Sequence, residues 1–342
     1  MRIAIHHSTA SHSFSGRWIE YCKKNNIDYK IVNAYDTSII EQVKDCDVFM
    51  WHHYQTSYKD SLFAKQLLFS LEMAGKRVFP DWHTGWHFDD KVGQKYLLES
   101  IGAPLVPSYI FYTKKDAMSW IEGIGYPKVF KLRGGSGAFN VVKIDNKHAA
   151  KRVIRKAFGS GFPKYDRFVK LKERVYQWRH HKDSFFGVCK SFIRLIVPNP
   201  NLKMLTRDKG YVLFQDFIPN NKFDIRIVVI GDKAFGLKRL CRENDFRASG
   251  SGSIVYDYKQ LDERCVRIAF DVNELIQAQS IAYDFVFDEN NEPLIVEISF
   301  GYAAPAYDDC EGYWTKDMTW HQGSHFDFCG WMIETCIKNK NN

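Results

Sequence analysis

The sequence predicts a mixed fold in which an α/β domain at the N-terminus is followed by α+β domains. Residues 1–88 alternate short apolar runs with helical patterns, which is typical of a parallel sheet covered by helices. From residue 126 onward the apolar runs are rich in Val, Ile and Phe and are separated by Gly-containing turns, as in antiparallel sheets. Because the chain has 342 residues, two or three subdomains are expected.

In the N-terminal domain, strands are predicted at residues 2–6, 29–32, 48–52 and 76–80, and helices at residues 16–25 and 61–74. Ligands usually bind where parallel strands end, so the loops after these strands are candidate binding loops. Ser15 is expected to cap the first helix, close to backbone amides that suit a carboxylate. A simple capped helix without a ligand is the favoured alternative.

The composition is that of a soluble globular protein, with 45% hydrophobic and 26% charged residues. No apolar run reaches the length of about 18 residues that a membrane-spanning helix needs, and the N-terminus lacks the apolar core of a signal peptide. Eight cysteines without any Cys-x-x-Cys pair argue against a zinc ribbon and favour free thiols in a reducing compartment. The expected location is therefore cytoplasmic.

The net charge of +8 is concentrated in one segment. Residues 151–210 hold 16 Lys and Arg against 4 Asp and Glu, interleaved with aromatic residues. Such a segment suits an acidic glycan, an anionic membrane surface or a nucleic acid, with nucleic acid the least favoured. The alternative is an amphipathic helical pair whose aromatic side chains pack on the core.

Two apolar runs joined by Gly231-Asp232-Lys233 predict a β-hairpin over residues 223–239. Side chains two apart on a strand share a face, so Asp224 and Arg226 point the same way, and Lys238 and Arg239 follow on the partner strand. Arg247 precedes a run of Ser and Gly whose backbone amides can approach an anion closely.

Asp284 and Glu297 each lie inside an apolar, strand-like run. Burying a carboxylate is costly unless it is paired with a cation or binds a metal. Hard oxygen ligands beside several arginines suit Mg²⁺ bridging a polyphosphate. An ordinary antiparallel sheet with salt bridges is the alternative for any single residue, though not for the ordered set.

Upstream, Asp90-Lys91 opens a helical pattern that places Lys91 and Lys95 one turn apart. Lys131 ends a strand-like run and precedes Gly134-Gly135-Ser136-Gly137, after which another strand follows. This loop is not a Walker loop, because the Gly-Lys-Ser/Thr ending is missing and a strand comes next.

The order of these motifs resembles the ATP-grasp superfamily, particularly its carboxylate–amine ligases of the ribosomal S6 modification and D-alanine–D-alanine ligase type. The resemblance covers roughly residues 89–300 and departs at Ser249 and Ser299, where the family often has Asn. It implies an N-terminal Rossmann-like pre-ATP-grasp domain followed by a two-subdomain ATP-grasp fold. The implied boundaries are 1–88, 89–214 with a basic insertion at about 158–208, and 215–342.

The resemblance also implies ATP and Mg²⁺ as cofactors and assigns site residues. Arg226, Arg239 and Arg247 would hold the γ-phosphate and the acyl phosphate as catalytic groups. Asp284 and Glu297 would bind Mg²⁺, with Ser299 as a weaker third ligand. Nucleotide binding would fall to Lys95, Lys131, Gly134, Gly135, Ser136, Gly137 and Lys238 at the phosphates and loop, and to Gln215, Asp216, Phe217 and Ile218 at the adenine.

The implied reaction joins a carboxylate to an amine through an acyl phosphate, with release of ADP and phosphate. One hypothesis for the substrates is an amino acid joined to an acidic sugar of a surface polysaccharide. The acidic sugar would then be part of a glycan or of a sugar nucleotide. A kinase acting on a hydroxyl and a non-catalytic, ATP-gated binding module are the alternatives. The expected partners are small-molecule substrates and a second copy of the chain in a homodimer. No nucleic acid is expected to bind.

An aromatic segment follows Glu297 in the chain and includes Tyr302, Tyr307, Tyr313, Trp314 and Trp320. Aromatic rings stack on the apolar faces of sugars, so this segment is a candidate acceptor pocket. An aromatic C-terminal core explains the same residues equally well.

Overall fold

In this computed structural model the chain divides into two compact units. The first comprises Met1–Phe88, Gly93–Leu105 and Ile218–Asn342, and the second comprises Asp89–Val92 and Val106–Phe217. The structure describes residues 1–135, 141–163, 171, 174–176, 178, 184–196, 206–242, 245–248, 250 and 252–337. Ser136, Gly137, Ser249 and much of the basic segment lie outside the described residues. The boundaries at 88/89 and 214/215 stay predictions.

The N-terminal part of the first unit is a parallel sheet covered by helices, as the sequence predicts. Its strands are β1 Arg2–His6, β2 Asp28–Val32, β3 Val48–Met50 and β4 Arg77–Phe79, in the order β2-β1-β3-β4. Its helices are Ser15–Lys24, Ile39–Gln42, Tyr58–Met73 and Trp82–Gly85. The chain adds β2 on one side of β1 and then adds β3 and β4 on the other side, so the strand order changes direction between β1 and β3. Their carboxyl ends flank the crevice where such sheets usually bind ligands.

The second unit is built on an antiparallel sheet. Its strands are β5 Ser108–Phe111, β6 Lys128–Lys131, β7 Val141–Ile144, β8 Phe162–Pro163, β9 Arg207–Asp208 and β10 Val212–Asp216. The main sheet has the order β5-β10-β6-β7, and β8 pairs with β9. Helices Lys114–Trp120 and Lys147–Ala157 pack on it through a core that includes Phe130, Phe214 and Ile154. Helix Phe185–Ile196 also belongs to this unit.

The C-terminal part of the first unit is a larger antiparallel sheet. Its strands are β11 Phe223–Ile230, β12 Lys233–Leu240, β13 Ile254–Val255, β14 Ser280–Phe287, β15 Pro293–Ser299, β16 Gly312–Thr315 and β17 Trp320–Gln322. The order is β15-β14-β11-β12-β16-β17, with β13 paired to β12. The predicted hairpin is confirmed, with Phe223 opposite Leu240 and Ile230 opposite Lys233.

Alternation along β11 divides this sheet into two different faces. Ile225, Ile227 and Val229 join a core that includes residues of helix Glu263–Ile276. Val228 and Ile230 join a second core, to which helices Ser15–Lys24 and Phe328–Ile337 contribute. Asp224 and Arg226 lie on the same face as Val228, so that face changes from apolar to charged along the strand.

The aromatic segment after β15 forms core rather than an open pocket. Tyr302, Tyr307 and Trp314 are buried, and Trp320 stacks on Tyr258 with ring centroids 4.1 Å apart. Helix Lys91–Ser100 and the 3-10 turns Tyr258–Gln260 and Ala304–Tyr307 complete the described elements. Within the described part of the chain, no helix combines the length and hydropathy needed to cross a bilayer.

Candidate active site

The first unit carries a charged patch on β11, β12, β14 and β15. In the antiparallel register Arg226 lies opposite Asp284, and Asp284 lies opposite Glu297 on its other side. Asp224 lies opposite Arg239 across the hairpin. Residues directly opposite each other in a sheet share a face. The register therefore brings five of the charged residues singled out in the sequence onto one surface.

Four of these side chains form a buried ion-pair network. Arg226 donates to both carboxylate oxygens of Asp284 at 2.5 and 2.6 Å, and Arg239 donates to both oxygens of Asp224 at 2.6 Å. Arg239 Nη2 also lies 3.0 Å from Asp284 Oδ2, which links the two pairs. Bidentate arginine–carboxylate pairs are strong and geometrically specific. The network holds both guanidinium groups in fixed positions.

Burial and charge act in opposite directions on Asp284. Burial by itself would raise the pKa of the Asp284 carboxyl, but the positive charges of Arg226 and Arg239 hold that pKa well below its ordinary value. Burial raises the pKa of the nearby Tyr307 hydroxyl to about 12, although the positive charge of Arg226 acts to lower it. Asp284 is therefore a carboxylate at neutral pH, and Tyr307 is a neutral phenol beside the arginine.

The residues predicted to bind the metal lie together on the neighbouring strands β14 and β15. Asp284 and Glu297 are cross-strand partners, and an irregularity in the ladder follows directly at Asp284 and Phe285. Ser299 lies opposite Ala282, and its hydroxyl accepts a hydrogen bond from the Gly301 N–H at 3.2 Å. Two directly opposed carboxylates repel each other unless a cation lies between them.

This donor set fits Mg²⁺. The described residues contain no cluster of three or more His, Cys, Asp and Glu arranged to hold a metal. A magnesium site commonly uses only one or two carboxylates, with phosphate oxygens and water completing its shell. Asp284 and Glu297 match that pattern. The Ser299 hydroxyl is a weaker donor that already accepts a backbone hydrogen bond.

The remaining predicted cations of this unit lie outside the network, and Lys238, opposite Ile225, is on the other face of the sheet. Arg247 donates through Nη2 to Asp245 at 2.7 Å, and the Arg247 N–H bonds the same carboxylate at 3.0 Å. Lys238 lies over the ring of Phe223, 4.0 Å from its centroid, and 3.5 Å from Gln260 Oε1. Both side chains are thus held in place by neighbours within the same unit.

The glycine loop is the candidate phosphate-binding region of the second unit. Lys131 ends β6 and is buried, with 6% of its surface exposed. Lys91 Nζ donates to the Gly135 carbonyl at 2.8 Å, and the Gly135 N–H donates to Asp89 Oδ1 at 2.6 Å. A Cβ at Gly134 would come within 2.7 Å of Asp89 Oδ2. The start of helix Lys91–Ser100 is therefore bonded to the loop.

The two lysines at the start of helix Lys91–Ser100 have different surroundings, and the choice between them as phosphate ligands stays a prediction. The sequence analysis assigns the phosphates to Lys95, whose Nζ pairs with Glu99 at 2.5 Å in the first unit. Lys91 is buried and contacts the glycine loop. In the sequence, Lys91 follows Asp89 and Asp90 directly at the start of the helix. The one-turn spacing of Lys91 and Lys95 did not show which of the two contacts the glycine loop.

The residues predicted for adenine binding follow β10. Gln215 Nε2 donates to Ser108 Oγ at 3.1 Å, and Lys128 Nζ donates to Asp216 Oδ1 at 2.5 Å. Phe217 lies under Lys143, whose Nζ is 4.8 Å from the ring centroid. Ile218 begins the next segment of the first unit. The side chains of Gln215 and Asp216 are engaged within their own sheet, so any contact with a base falls to the backbone.

A polar cluster at the ends of β1 and β3 was not predicted as a unit. The expected cap at Ser15 is wrong, because the helix begins at Ser15 and its hydroxyl instead accepts from the Ser8 N–H at 3.0 Å. The Phe14 N–H donates to His52 Nδ1 at 3.1 Å, so the neutral ring carries its proton on Nε2. Loop residues separated by 38 positions meet here, which no local pattern could reveal.

Both histidines after β3 are buried and neutral. Burial lowers the pKa of His52 well below its ordinary value and the pKa of His53 to about 3. Among the residues that the structure describes, neither Nε2 atom has a hydrogen-bond partner. The rings of His52 and His53 lie 6.2 and 5.0 Å from the ring of Phe300, which follows Ser299 directly. The polar cluster at the ends of β1 and β3 thus lies next to the end of β15, the strand that carries Glu297.

Comparison with known proteins adds independent information. Residues 198–311 match the model of the RimK-like ATP-grasp domain. Over 233 residues the chain is 23% identical to the alpha-aminoadipate–LysW ligase LysX of Saccharolobus solfataricus, covering 68% of each chain. The RimK domain ATP-grasp protein of Sphaerobacter thermophilus superposes with a TM-score of 0.57 at 14% identity, over 99% of this chain and 100% of that one.

The D-alanine–D-alanine ligase of Bacillus anthracis, solved with ATP, superposes with a TM-score of 0.55 at 14% identity, over 98% and 97% of the two chains. At such identities the two solved structures show the fold alone. The family model and the LysX match agree with the motif order, and ATP and Mg²⁺ are the cofactors of this family. The chain therefore contains a RimK-like ATP-grasp domain, and it is similar to ATP-dependent ligases of the carboxylate–amine type.

Proposed function

We propose that this chain catalyses the ATP-dependent joining of a carboxylate to an amine. The observation that supports this most is the network of Asp224, Arg239, Asp284 and Arg226, with Glu297 beside it. A sheet that only needed stability would gain as much from apolar residues at these positions. Two preorganised guanidinium groups beside two carboxylates suit the charge that develops on a transferring phosphoryl group.

When bound, ATP supplies the phosphoryl group that activates the carboxylate, and Mg²⁺ neutralises phosphate charge. Asp284 and Glu297 are the proposed holders of Mg²⁺, with Ser299 as an additional donor. Arg226, Arg239 and Arg247 are the proposed groups that stabilise the acyl phosphate. No side chain acts as a nucleophile, because the substrate carboxylate attacks phosphorus and the amine then displaces phosphate from the acyl group.

Nucleotide binding is assigned to both units. Lys131 is buried at the end of its strand, and Lys91 is bonded to the glycine loop, so both are proposed phosphate ligands. Gly134 and Gly135 form the described part of the loop, and Lys238 and the backbone from Gln215 to Ile218 complete the proposed nucleotide site. Lys95 is retained as a weaker candidate because it pairs with Glu99.

The substrate itself is assigned to the crevice at the ends of β1 and β3. Ser13, Ser15, His52 and His53 offer neutral hydrogen-bonding groups there, and the two imidazoles adjoin Phe300 at the end of β15. A substrate whose reacting group lies beside Glu297 could extend toward this cluster. His52→Phe is then expected to raise the KM of one substrate while leaving the KM of ATP unchanged, whereas an equal change in both would contradict the assignment.

An acidic sugar remains the proposed carboxylate, and an amino acid the proposed amine. Support comes from the excess of basic residues in 151–210. The aromatic tail lends no support, because Tyr302, Tyr307 and Trp314 are buried. We place the reaction in the cytoplasm, in agreement with eight free cysteines, and a homodimer stays a prediction. Mass spectrometry of products from pooled amino acids and sugar acids, with ADP release as the signal, tests this choice; modification of peptides alone would refute it.

The decisive test of the reaction class uses Glu297→Gln. This variant is expected to abolish ADP release while keeping the far-ultraviolet circular dichroism of the wild type. Product analysis of the wild type separates the alternatives: a ligase yields an amide with free phosphate, a kinase yields a phosphomonoester without it, and a binding module yields no ADP. Near wild-type ADP release by Glu297→Gln would remove Glu297 from the site.

A further inference from the structure

Helix Phe185–Ile196 of the second unit presents a row of large apolar side chains to solvent. Phe185, Phe186, Phe192 and Ile193 are 60%, 77%, 57% and 60% exposed. The ring of Trp178, itself 40% exposed, lies 5.5 Å from that of Phe185. Single exposed apolar residues are normal on a protein surface, whereas a contiguous group of this kind marks an interaction site.

The apolar residues follow the period of the helix. At about 100° per residue, Phe185, Val188, Cys189 and Phe192 occupy one face, with Phe186 and Ile193 beside it. Lys190 and Arg194, one turn apart, occupy the opposite side together with Ser191, and both basic residues are exposed. No Asp or Glu occurs between residues 185 and 196. The helix is thus amphipathic, with a basic polar side and an apolar side that both reach solvent.

The charge of the surrounding sequence indicates what this helix meets. Residues 151–210 carry an excess of 12 positive charges, whereas the rest of the chain is net negative. A basic segment is attracted to anionic surfaces over about one Debye length. An acidic glycan or a nucleic acid would satisfy the basic residues but leave Phe186 and Ile193 in water. A bilayer that contains anionic lipid accommodates both sides of the helix.

We propose that helix Phe185–Ile196 docks this protein on the surface of a membrane that contains anionic lipid. The helix lies in the plane of the interface, with the Phe and Ile side chains at the acyl boundary and Lys190 and Arg194 at the lipid phosphates. The inference does not depend on which substrates the ligase joins. It places the enzyme where a substrate carried on a lipid would be within reach.

Cosedimentation of the full chain with vesicles tests the proposal. The vesicles are phosphatidylcholine alone or phosphatidylcholine with about one quarter phosphatidylglycerol. The wild type is expected to bind the anionic vesicles preferentially and to lose that preference at high salt. Phe186→Ser with Phe192→Ser should weaken binding about tenfold or more, because two apolar anchors are lost. Lys190→Glu with Arg194→Glu should abolish the preference for anionic lipid.

Leu62→Ser is the matched control, since Leu62 is 71% exposed on helix Tyr58–Met73, which is not part of residues 151–210. It should bind vesicles as the wild type does. All variants change exposed side chains and are expected to keep the thermal unfolding of the wild type. The double Phe variant and Leu62→Ser are also expected to keep its ADP release in solution. Absence of wild-type binding, or full binding by the double Phe variant, would overturn the proposal. So would a dimer that the double Phe variant dissociates in light scattering, with no vesicle binding by the wild type.

Discussion

Asp284→Asn is the substitution that tests the buried network most directly. The Asp284 carboxylate accepts two hydrogen bonds from Arg226, at 2.5 and 2.6 Å, and lies 3.0 Å from Arg239 Nη2. Its amide replacement has no charge and only one acceptor oxygen. Arg226 would then be a buried cation without its carboxylate, whereas Arg239 would keep Asp224. Removing one partner of a buried ion pair costs about 3–5 kcal/mol, so we expect a loss of that size in the free energy of unfolding.

Urea denaturation followed by tryptophan fluorescence measures this loss, with Glu297→Gln as the matched carboxylate-to-amide control on the neighbouring strand. Glu297 is only partly buried, and its variant should lose about 1 kcal/mol. Both variants should be inactive, so only stability distinguishes them. Equal free energies of unfolding for the two variants would refute the conclusion that the pairing of Asp284 with the arginines stabilises the fold.

The pH dependence offers a second measure of the same pair. Because the pKa of Asp284 is lower in the folded chain than in the unfolded chain, its stabilising contribution is present above about pH 4 and is lost as the pH falls further. In Asp284→Asn this contribution is missing at every pH. The difference in stability between wild type and variant should therefore shrink on acidification below about pH 4. A constant difference would show that the carboxylate charge is not what the arginines recognise.

Three further predictions concern other parts of the site. Lys91→Met should raise the KM of ATP about tenfold or more, because it removes a cation at the glycine loop, whereas Lys95→Met should change this KM little. Steady-state ADP release measures both variants, and a larger effect of Lys95→Met would contradict the choice of Lys91. Gly134→Ala should impair nucleotide binding, since the added Cβ would lie 2.7 Å from Asp89 Oδ2. The matched control is Gly123→Ala, whose Cβ would meet open space and which should bind nucleotide normally. Calorimetric titration with ADP compares the two variants, and equal affinities would refute the close approach at Gly134. Burial lowers the pKa of His53 to about 3 in the folded chain, so in the unfolded chain His53 gains a proton at a higher pH, and stability falls as the pH falls from about 6.5. His53→Phe should therefore make the midpoint of thermal unfolding less dependent on pH between about 6.5 and 3. An unchanged pH profile would show that His53 is not buried and neutral.

Strand patterns predicted much of the first unit correctly. The hairpin over residues 223–240 and the parallel strands near residues 2–6 and 29–32 were readable because alternating or continuous apolar runs leave few other options. The face shared by Asp224 and Arg226 followed from the period of a strand. Glu297 could be assigned to an apolar strand, but its position directly opposite Asp284 could not, because cross-strand register depends on an irregularity beside Asp284.

The choice between Lys91 and Lys95 shows a different limit. Both lie on one helix one turn apart, and a sequence pattern treats them alike. Only the fold brings Gly135, 44 residues away, against the Lys91 ammonium group. The Ser15 cap failed for a similar reason, since the Ser8 N–H and the His52 ring reach this helix start from other loops.

The order of motifs, the class of fold and the kinds of side chain available for phosphate and metal could all be predicted from the sequence. These features depend on local periodicity and composition, which each segment carries alone. The tertiary structure decided which charges pair, with Arg226 on Asp284 and Arg239 on Asp224, and which aromatic residues became core. Pairing and burial are set by strand register and by packing between distant segments, and these depend on the whole chain at once.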